Sequence, residues 1–447
     1  MTIGAFRLNG LGKKLGDTGD VFRRHGSFET ILANTHTFGY KNAEFLGLGA
    51  NASGNPSAYI GAVLIGNNGQ ANLHVRHYRT VTDGSGGTNP SGGHGFGYEL
   101  DSNDASDDIN IATRWSGAGY KTTPTIDALN DHMEVAVLYN DGTDTNKNLK
   151  LENVTFQNTD GGFNNFQQGQ LQGTITPHAD NGVGHAVMAT TTSDDGSTDG
   201  RVAILSHTNS NSNNDHTQGI YGNMFAGTST PTELATTTST LYGHKAKLRM
   251  VGLPDGGCDF RGAVMAGGSD PKAHFFSYNG TTRTTSATTA VSKTDDADSV
   301  PMLAALSDSK IVYGVYSNAT NKLYLKAATQ TWGSNCATGS TAVGSEIEID
   351  AHDGANIIHG FTDNTFYVVY FDNSETLKVN IDTYEVDGNT IEQVGNGFSY
   401  EAGSGSITRY NDISLVSWQH PSYGKHLDIL YGTGSNGIAM LKYVKVD

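Results

Sequence analysis

Cysteine is scarce in this chain, with two residues in 447, Cys258 and Cys336. A disulfide scaffold and a four-ligand zinc centre both need more, so the expectation is two free, partly buried thiols. Long apolar runs are also missing. No stretch reaches the roughly 18 residues a membrane span requires. The opening residues lack the apolar core of a secretory signal, so the expectation is synthesis in the cytoplasm without membrane insertion. Cations are few, 28 Lys and Arg against 45 Asp and Glu, for a formal net charge of -17. A nucleic acid bound over a broad surface demands a basic stripe that this composition withholds. The acidic excess reads as a solubility device.

The common signatures of catalysis are absent too. There is no HExxH among the sixteen histidines, and no G-x-S-x-G, P-loop or dinucleotide fingerprint in a strand-to-helix context. His74 and His77 on one strand alternate in direction and cannot share an ion. The nearest approach to a sialidase Asp-box, Ser193 to Thr198, has its glycine one residue early and no tryptophan after it. Carboxylates such as Asp101, Asp104, Asp107, Asp108, Asp295, Asp296 and Asp298 lie in Gly- and Ser-rich loops, where solvated acids outnumber the facing pairs a glycosidase needs. The expectation is no catalytic, cofactor-binding or metal residue. Structural calcium is the one cation with candidate loops, Asp141 to Asn146 and Asp194 to Asp199. Neither has an EF-hand register, and turn chemistry accounts for both.

What the chain does contain is repetition. Met302 to Ala327 reads as three short strands joined by polar turns, and in its middle strand Ile311, Tyr313 and Val315 alternate with Val312, Gly314 and Tyr316. Both faces are apolar or small, so both must be covered. Similar middle strands recur at Ile60 to Ile65, Glu134 to Tyr139, Val202 to Ser206, Gly262 to Ala266, Phe366 to Phe371 and Ile413 to Trp418. Their mean spacing is about 59 residues, within the range of repeat architectures. Each is preceded by a shorter apolar strand and an Asn-, Asp- or Gly-bearing turn; TIDAL from Thr125 and SITRY from Ser406 are two of the shorter strands. The fold expected is all-β, a seven-bladed β-propeller over residues 36–447 with a short N-terminal extension, residues 1–35. Whether the last blade is completed by Ala439 to Val446 alone or with a strand lent by the N-terminal region stays open.

Residues 1–35 carry five cations, Arg7, Lys13, Lys14, Arg23 and Arg24, against Asp17, Asp20 and Glu29, in an otherwise acidic chain. Ile3, Phe6, Leu8 and Leu11 add apolar grip, and Asp20 to Ala33 has the makings of one short helix. The functional reading is an arm that orders on docking to a larger assembly, with Ile3, Phe6, Arg7, Leu8 and Leu11 as its anchor residues. The segment Met1 to Lys13, MTIGAFRLNGLGK, resembles the start of structural and appendage proteins of marine bacteriophages, which share M-x-I-G-A-F-R/K-L/I-N ahead of differing β-rich bodies. The resemblance covers about 13 residues and no further part of the chain. It implies a virion location, other virion proteins as partners of the arm, and multiple copies per particle.

Two long polar stretches, Thr82 to Asp108 and Asn209 to Gln218, read as loops on a rigid scaffold, where binding specificity usually sits. Tyr78, Phe96, Tyr98 and Tyr221 nearby are candidates for stacking on sugar rings. The favoured reading is therefore a non-enzymatic virion protein, a tail, nozzle or appendage component that contributes to attachment to a host surface glycan or protein. Alternatives are a propeller enzyme or lectin acting on host surface polysaccharide, and a capsid decoration protein.

Overall fold

The computed structural model describes residues 19–24, 29–32, 44–50, 59–65, 72–79, 98–101, 105–113, 132–141, 148–159, 162–167, 171–175, 183–190, 202–208, 216–222, 232–239 and most of 248–446. It is all-β: the described strands form seven separate antiparallel sheets. In chain order, the first comprises Glu44–Ala50, Tyr59–Ile65, Asn72–Arg79 and Tyr98–Asp101. The second comprises Ala105–Thr113, His132–Asp141, Asn148–Thr159 and, along one outer edge, Gly162–Gln167 and Leu171–Ile175. The third runs from Val183–Thr190 through Val202–Thr208 and His216–Gly222 to Thr232–Ser239. The fourth contains Leu248–Leu253, Phe260–Ala266, Lys272–Tyr278 and Arg283–Ala287. The fifth contains Val300–Ala305, Lys310–Ser317, Lys322–Trp332 and an outer pair, Thr338–Val343 and Ile347–Asp350. The sixth contains Ala355–His359, Thr365–Asp372, Lys378–Asp387 and Thr390–Glu401. The seventh is built from Ser414–His420, Gly424–Thr433 and Gly437–Val446, and Val21–Arg24 and Glu29–Leu32 both pair with Gly437–Val446.

The leading strands of these sheets adjoin one another in sequence, from Glu44–Ala50 to Ala105–Thr113 and onward to Ser414–His420, which returns to Glu44–Ala50. Why the sheets must stack is visible in Lys310–Ser317, buried along nearly its whole length. Ile311, Tyr313 and Val315 pack with Phe275, Met265 and Ala263 of the fourth sheet. Val312 and Tyr316 pack with Phe366, Val368 and Ile357 of the sixth. The alternation read from the sequence thus buries two opposite faces against two different neighbours. Gly314 is required by close approach, since a Cβ there would lie 1.9 Å from the Tyr324 carbonyl oxygen. Analogous apolar seams join the third sheet to the fourth and the sixth to the seventh.

Several expectations are corrected. Residues 21–24 and 29–32 are strands, not parts of a short helix. Phe22 is 3% exposed in the sixth–seventh seam, so apolar packing and ladder pairing outweigh local helix preference there. These strands also place part of the expected N-terminal extension inside the seventh sheet, which the N-terminal region completes. The final repeat is accordingly displaced by one strand: Ser414–His420 leads its sheet and is not a middle strand. In the second sheet the expected middle strand, Glu134 to Tyr139, keeps its place within His132–Asp141, but the strand that leads it is Ala105–Thr113. The long loop expected over Thr82 to Asp108 contains Tyr98–Asp101 and the start of Ala105–Thr113, both strand-paired despite their polarity. The shorter strands expected from Thr125 and Ser406 lie outside the described residues.

Candidate functional site

In the fourth and fifth sheets the connection from first to second strand and that from third to fourth emerge at the same end, because each strand runs antiparallel to the last. At that end the fourth and fifth sheets meet through side chains that sequence reasoning passed over. Cys258 and Cys336 are joined by a disulfide, with Cα atoms 5.8 Å apart. This corrects the expectation of two free thiols: the turn before Phe260–Ala266 and the turn after Lys322–Trp332 belong to adjacent sheets and come out side by side. The second turn is a short 3-10 segment, Ser334–Cys336. Its Asn335 and Cys336 take left-handed backbone angles, φ 55° and 63°.

The turn is fastened to the fourth sheet by hydrogen bonds. Asn279 Nδ2 donates to the Asn335 carbonyl at 3.2 Å. The Cys336 carbonyl accepts from Ser277 Oγ and, at 3.2 Å, from Thr284 Oγ1. The Thr338 amide donates to Thr284 Oγ1 at 3.0 Å. Beside this cluster stands Trp332, half-buried. Its Nε1 donates to the Asp308 carbonyl at 3.0 Å, and the Phe275 ring meets it edge-on at 6.1 Å between centroids. The Arg261 guanidinium lies 4.7 Å from the Trp332 ring centroid, in cation–π range. Gly256, at φ +56°, leaves the room this requires: a Cβ there would lie 2.0 Å from Arg261 Nη1. Gly256, Gly257, Asp308, Ser334 and Asn335 are exposed around the cluster. The result is a partly open indole ring rimmed by amides, carbonyls and a guanidinium, a surface that offers both apolar contact and hydrogen bonds.

The sixth–seventh seam is fixed from the N-terminal side. Asp20 donates its amide to Thr383 Oγ1 at 3.2 Å, accepts from the Tyr367 hydroxyl, and lies 3.0 Å from Lys445 Nζ. The Tyr400 hydroxyl donates to the Phe22 carbonyl, and Arg24 Nη1 to the Glu401 carbonyl at 3.3 Å. Burial pushes the Tyr367 hydroxyl well above its ordinary range, helped by the Asp20 carboxylate beside it. Within the same seam, Ser417 Oγ lies 3.0 Å from both His359 Nε2 and the His359 carbonyl. Both residues are buried, and the contact ties two leading strands together.

Of the residues singled out from the sequence, Tyr78 lies in Asn72–Arg79 opposite Gly61, and Tyr98 opens Tyr98–Asp101 opposite Val75. Tyr221 lies in His216–Gly222 opposite Val202, in the third sheet. Tyr78 and Tyr98 thus share the first sheet, and Tyr221 belongs to another. Phe96 and the anchor residues Ile3, Phe6, Arg7, Leu8 and Leu11 lie outside the described residues, as does the calcium candidate Asp194 to Asp199; of Asp141 to Asn146 only Asp141, ending a strand, is described. Among the described residues no group of three or more His, Cys, Asp or Glu is placed to hold a metal ion. No helix there is long and apolar enough to cross a membrane.

No family model and no curated protein matches the chain. Solved structures similar to it include the fucose-recognising six-bladed β-propeller lectin of Aleuria aurantia, at 13% identity over 75% of this chain and 91% of the lectin, TM-score 0.42. The WD40 domain of SCAP from fission yeast is 8% identical over 94% of this chain and 98% of that domain, TM-score 0.40. The NanB sialidase of Streptococcus pneumoniae is 10% identical over 94% and 70%, TM-score 0.39. Likeness of this degree transfers neither a sheet count nor a ligand.

Proposed function

We propose that the chain is a non-catalytic, carbohydrate-binding β-propeller of seven blades. The unbroken series of adjoining leading strands, returning from Ser414–His420 to Glu44–Ala50, supports the ring. The observation that carries the function is the half-buried Trp332 at the fourth–fifth seam, with Arg261 over its ring and exposed amides beside it. A pyranose has an apolar C–H face and a hydroxyl rim, and an indole flanked by polar groups complements both. On this reading the ring is a rigid frame and recognition lies at its exposed connections. The resemblance of Met1 to Lys13 to marine phage appendage proteins supports mounting on a virion by the residues ahead of Gly19, with attachment to a host surface as the task. Repetition of weak sites in such a particle gains strength through avidity.

The test is binding of the full chain to an array of neutral and acidic bacterial surface glycans, with free fucose among the probes. Retention by a subset of glycans, reduced at least tenfold by Trp332→Ala under conditions where circular dichroism shows the variant still folded, is the expected result. Binding that Trp332→Ala leaves unchanged would contradict the site, and no binding to any glycan would contradict the class. Release of reducing ends from a bound glycan would instead make the protein an enzyme.

A further inference from the structure

We propose that the Cys258–Cys336 bond is a redox-operated staple, closed on sheets that have already folded and opened by a thiol reductant without unfolding them. Four hydrogen bonds, none involving sulfur, hold the turn that carries Cys336 onto the fourth sheet: from Asn279, Ser277 and Thr284 to its carbonyls and from the Thr338 amide to Thr284. Beneath the turn, Phe275, Met265, Tyr313 and Val315 close the seam by apolar packing. The two sulfurs are therefore brought together by the fold, and the bond is not needed to create their proximity.

Access is unequal between the two. Cys336 is partly exposed and flanked by exposed Ser334 and Asn335, and Gly256 and Gly257 across from it are exposed as well. Cys258 is 8% exposed. A thiolate at Cys336 attacks a low-molecular-weight disulfide RSSR, forming a mixed disulfide and releasing RS⁻, which takes up a proton. The Cys258 thiolate then attacks the Cys336 sulfur and releases the second RSH. Two electrons pass from the protein to the small disulfide, and the two protons lost by the cysteines end on the two RSH. Opening by a dithiol is the reverse, beginning at Cys336. Disulfides persist in oxidising surroundings and are rare in reducing cytoplasm, so on the virion reading proposed above the chain folds as a dithiol and is stapled on release. The bond spans 78 residues of sequence, a long loop whose closure restricts the unfolded chain strongly.

The wild-type full chain is sufficient for the test. After exposure to oxidised glutathione, alkylation and intact mass are expected to show no reactive thiol. After dithiothreitol, two adducts per chain are expected, with far-ultraviolet circular dichroism retained and the melting midpoint lowered by about 5 °C. Removing the reductant and restoring the small disulfide should return both values. Thr284→Val, which removes two of the four anchoring bonds, should slow reclosure several-fold. Thiols that stay alkylatable after the oxidant, loss of structure on reduction, an unmoved midpoint, or reclosure unaffected by Thr284→Val would each overturn the proposal.

Discussion

Val21 lies opposite Val446 across an antiparallel pair of strands, so the sheet nearest the C-terminal end of the chain is completed from near its N-terminal end. Phe22, in the same short strand, turns its ring edge-on to Tyr367 of the sixth sheet, 5.1 Å between centroids. Four residues thus bind two sheets as well as two distant parts of the sequence.

Truncation should separate this clasp from whatever precedes it. Deleting residues 1–18, which leaves Asp20, Phe22 and their partners in place, is expected to keep the melting midpoint within about 1 °C of the full chain. Deleting residues 1–24 removes Phe22, Asp20 and the strand pairing, at a cost of about 3–5 kcal/mol from the aromatic side chain alone. Differential scanning calorimetry of the two truncations makes the comparison. Equal midpoints would mean that residues 19–24 do not hold the seam.

Gly314 and Gly388 make opposite demands on a substitution. A Cβ at Gly314 meets the Tyr324 carbonyl oxygen at 1.9 Å in a strand buried on both faces, whereas at Gly388, with φ +60°, it meets nothing within 4 Å. Gly314→Ala should therefore destabilise by about 2 kcal/mol or more through overpacking. Gly388→Ala should cost only the left-handed backbone penalty, about 1 kcal/mol. Urea unfolding of both variants measures the difference, and a reversed order would contradict the packing described for the fifth sheet.

Alkaline pH should unfold the protein abruptly. Burial raises Tyr367, Tyr370, Tyr384, Tyr431 and Tyr443 above their usual value of 10.0, with the carboxylates of Asp20 and Asp382 adding to the shift at the first three. For each group the neutral form is favoured in the folded chain, so its contribution is fully present below pH 10. It is lost as pH rises from 10 toward the folded value, because only the unfolded chain ionises freely there. Tyrosinate absorbance should thus rise in a cooperative step together with loss of circular dichroism. Smooth independent titration near pH 10 with structure intact would contradict the burial of these rings.

The repeating middle strands were legible because their signal is local and doubly apolar. Tyr313 and Tyr316 announce buried faces on opposite sides of one strand, and the structure buries both. Leading strands were harder to read. Ala105–Thr113 begins with Ala105, Ser106, Asp107 and Asp108 and looks like loop, yet it is placed by pairing with His132–Asp141, a non-local interaction that outweighs composition. The clasp at residues 19–24 was only an open alternative, because Asp20 and Phe22 acquire their partners from beyond position 360. The disulfide left one trace in the sequence: Cys258 and Cys336 occupy connections that, counted in repeat units, emerge at the same end of adjacent sheets. Trp332 and Arg261 left none, since neither forms a motif and their contact depends on that same seam.

Density for the purified full chain, viewed along the axis of the leading strands, tests the architecture on which the site, the clasp and the staple all depend. The expected image is a closed ring of seven sheets, with residues 21–24 lying outside Gly437–Val446 in one of them. A ring of six or eight sheets, an open stack, or the N-terminal strand seated elsewhere would contradict it.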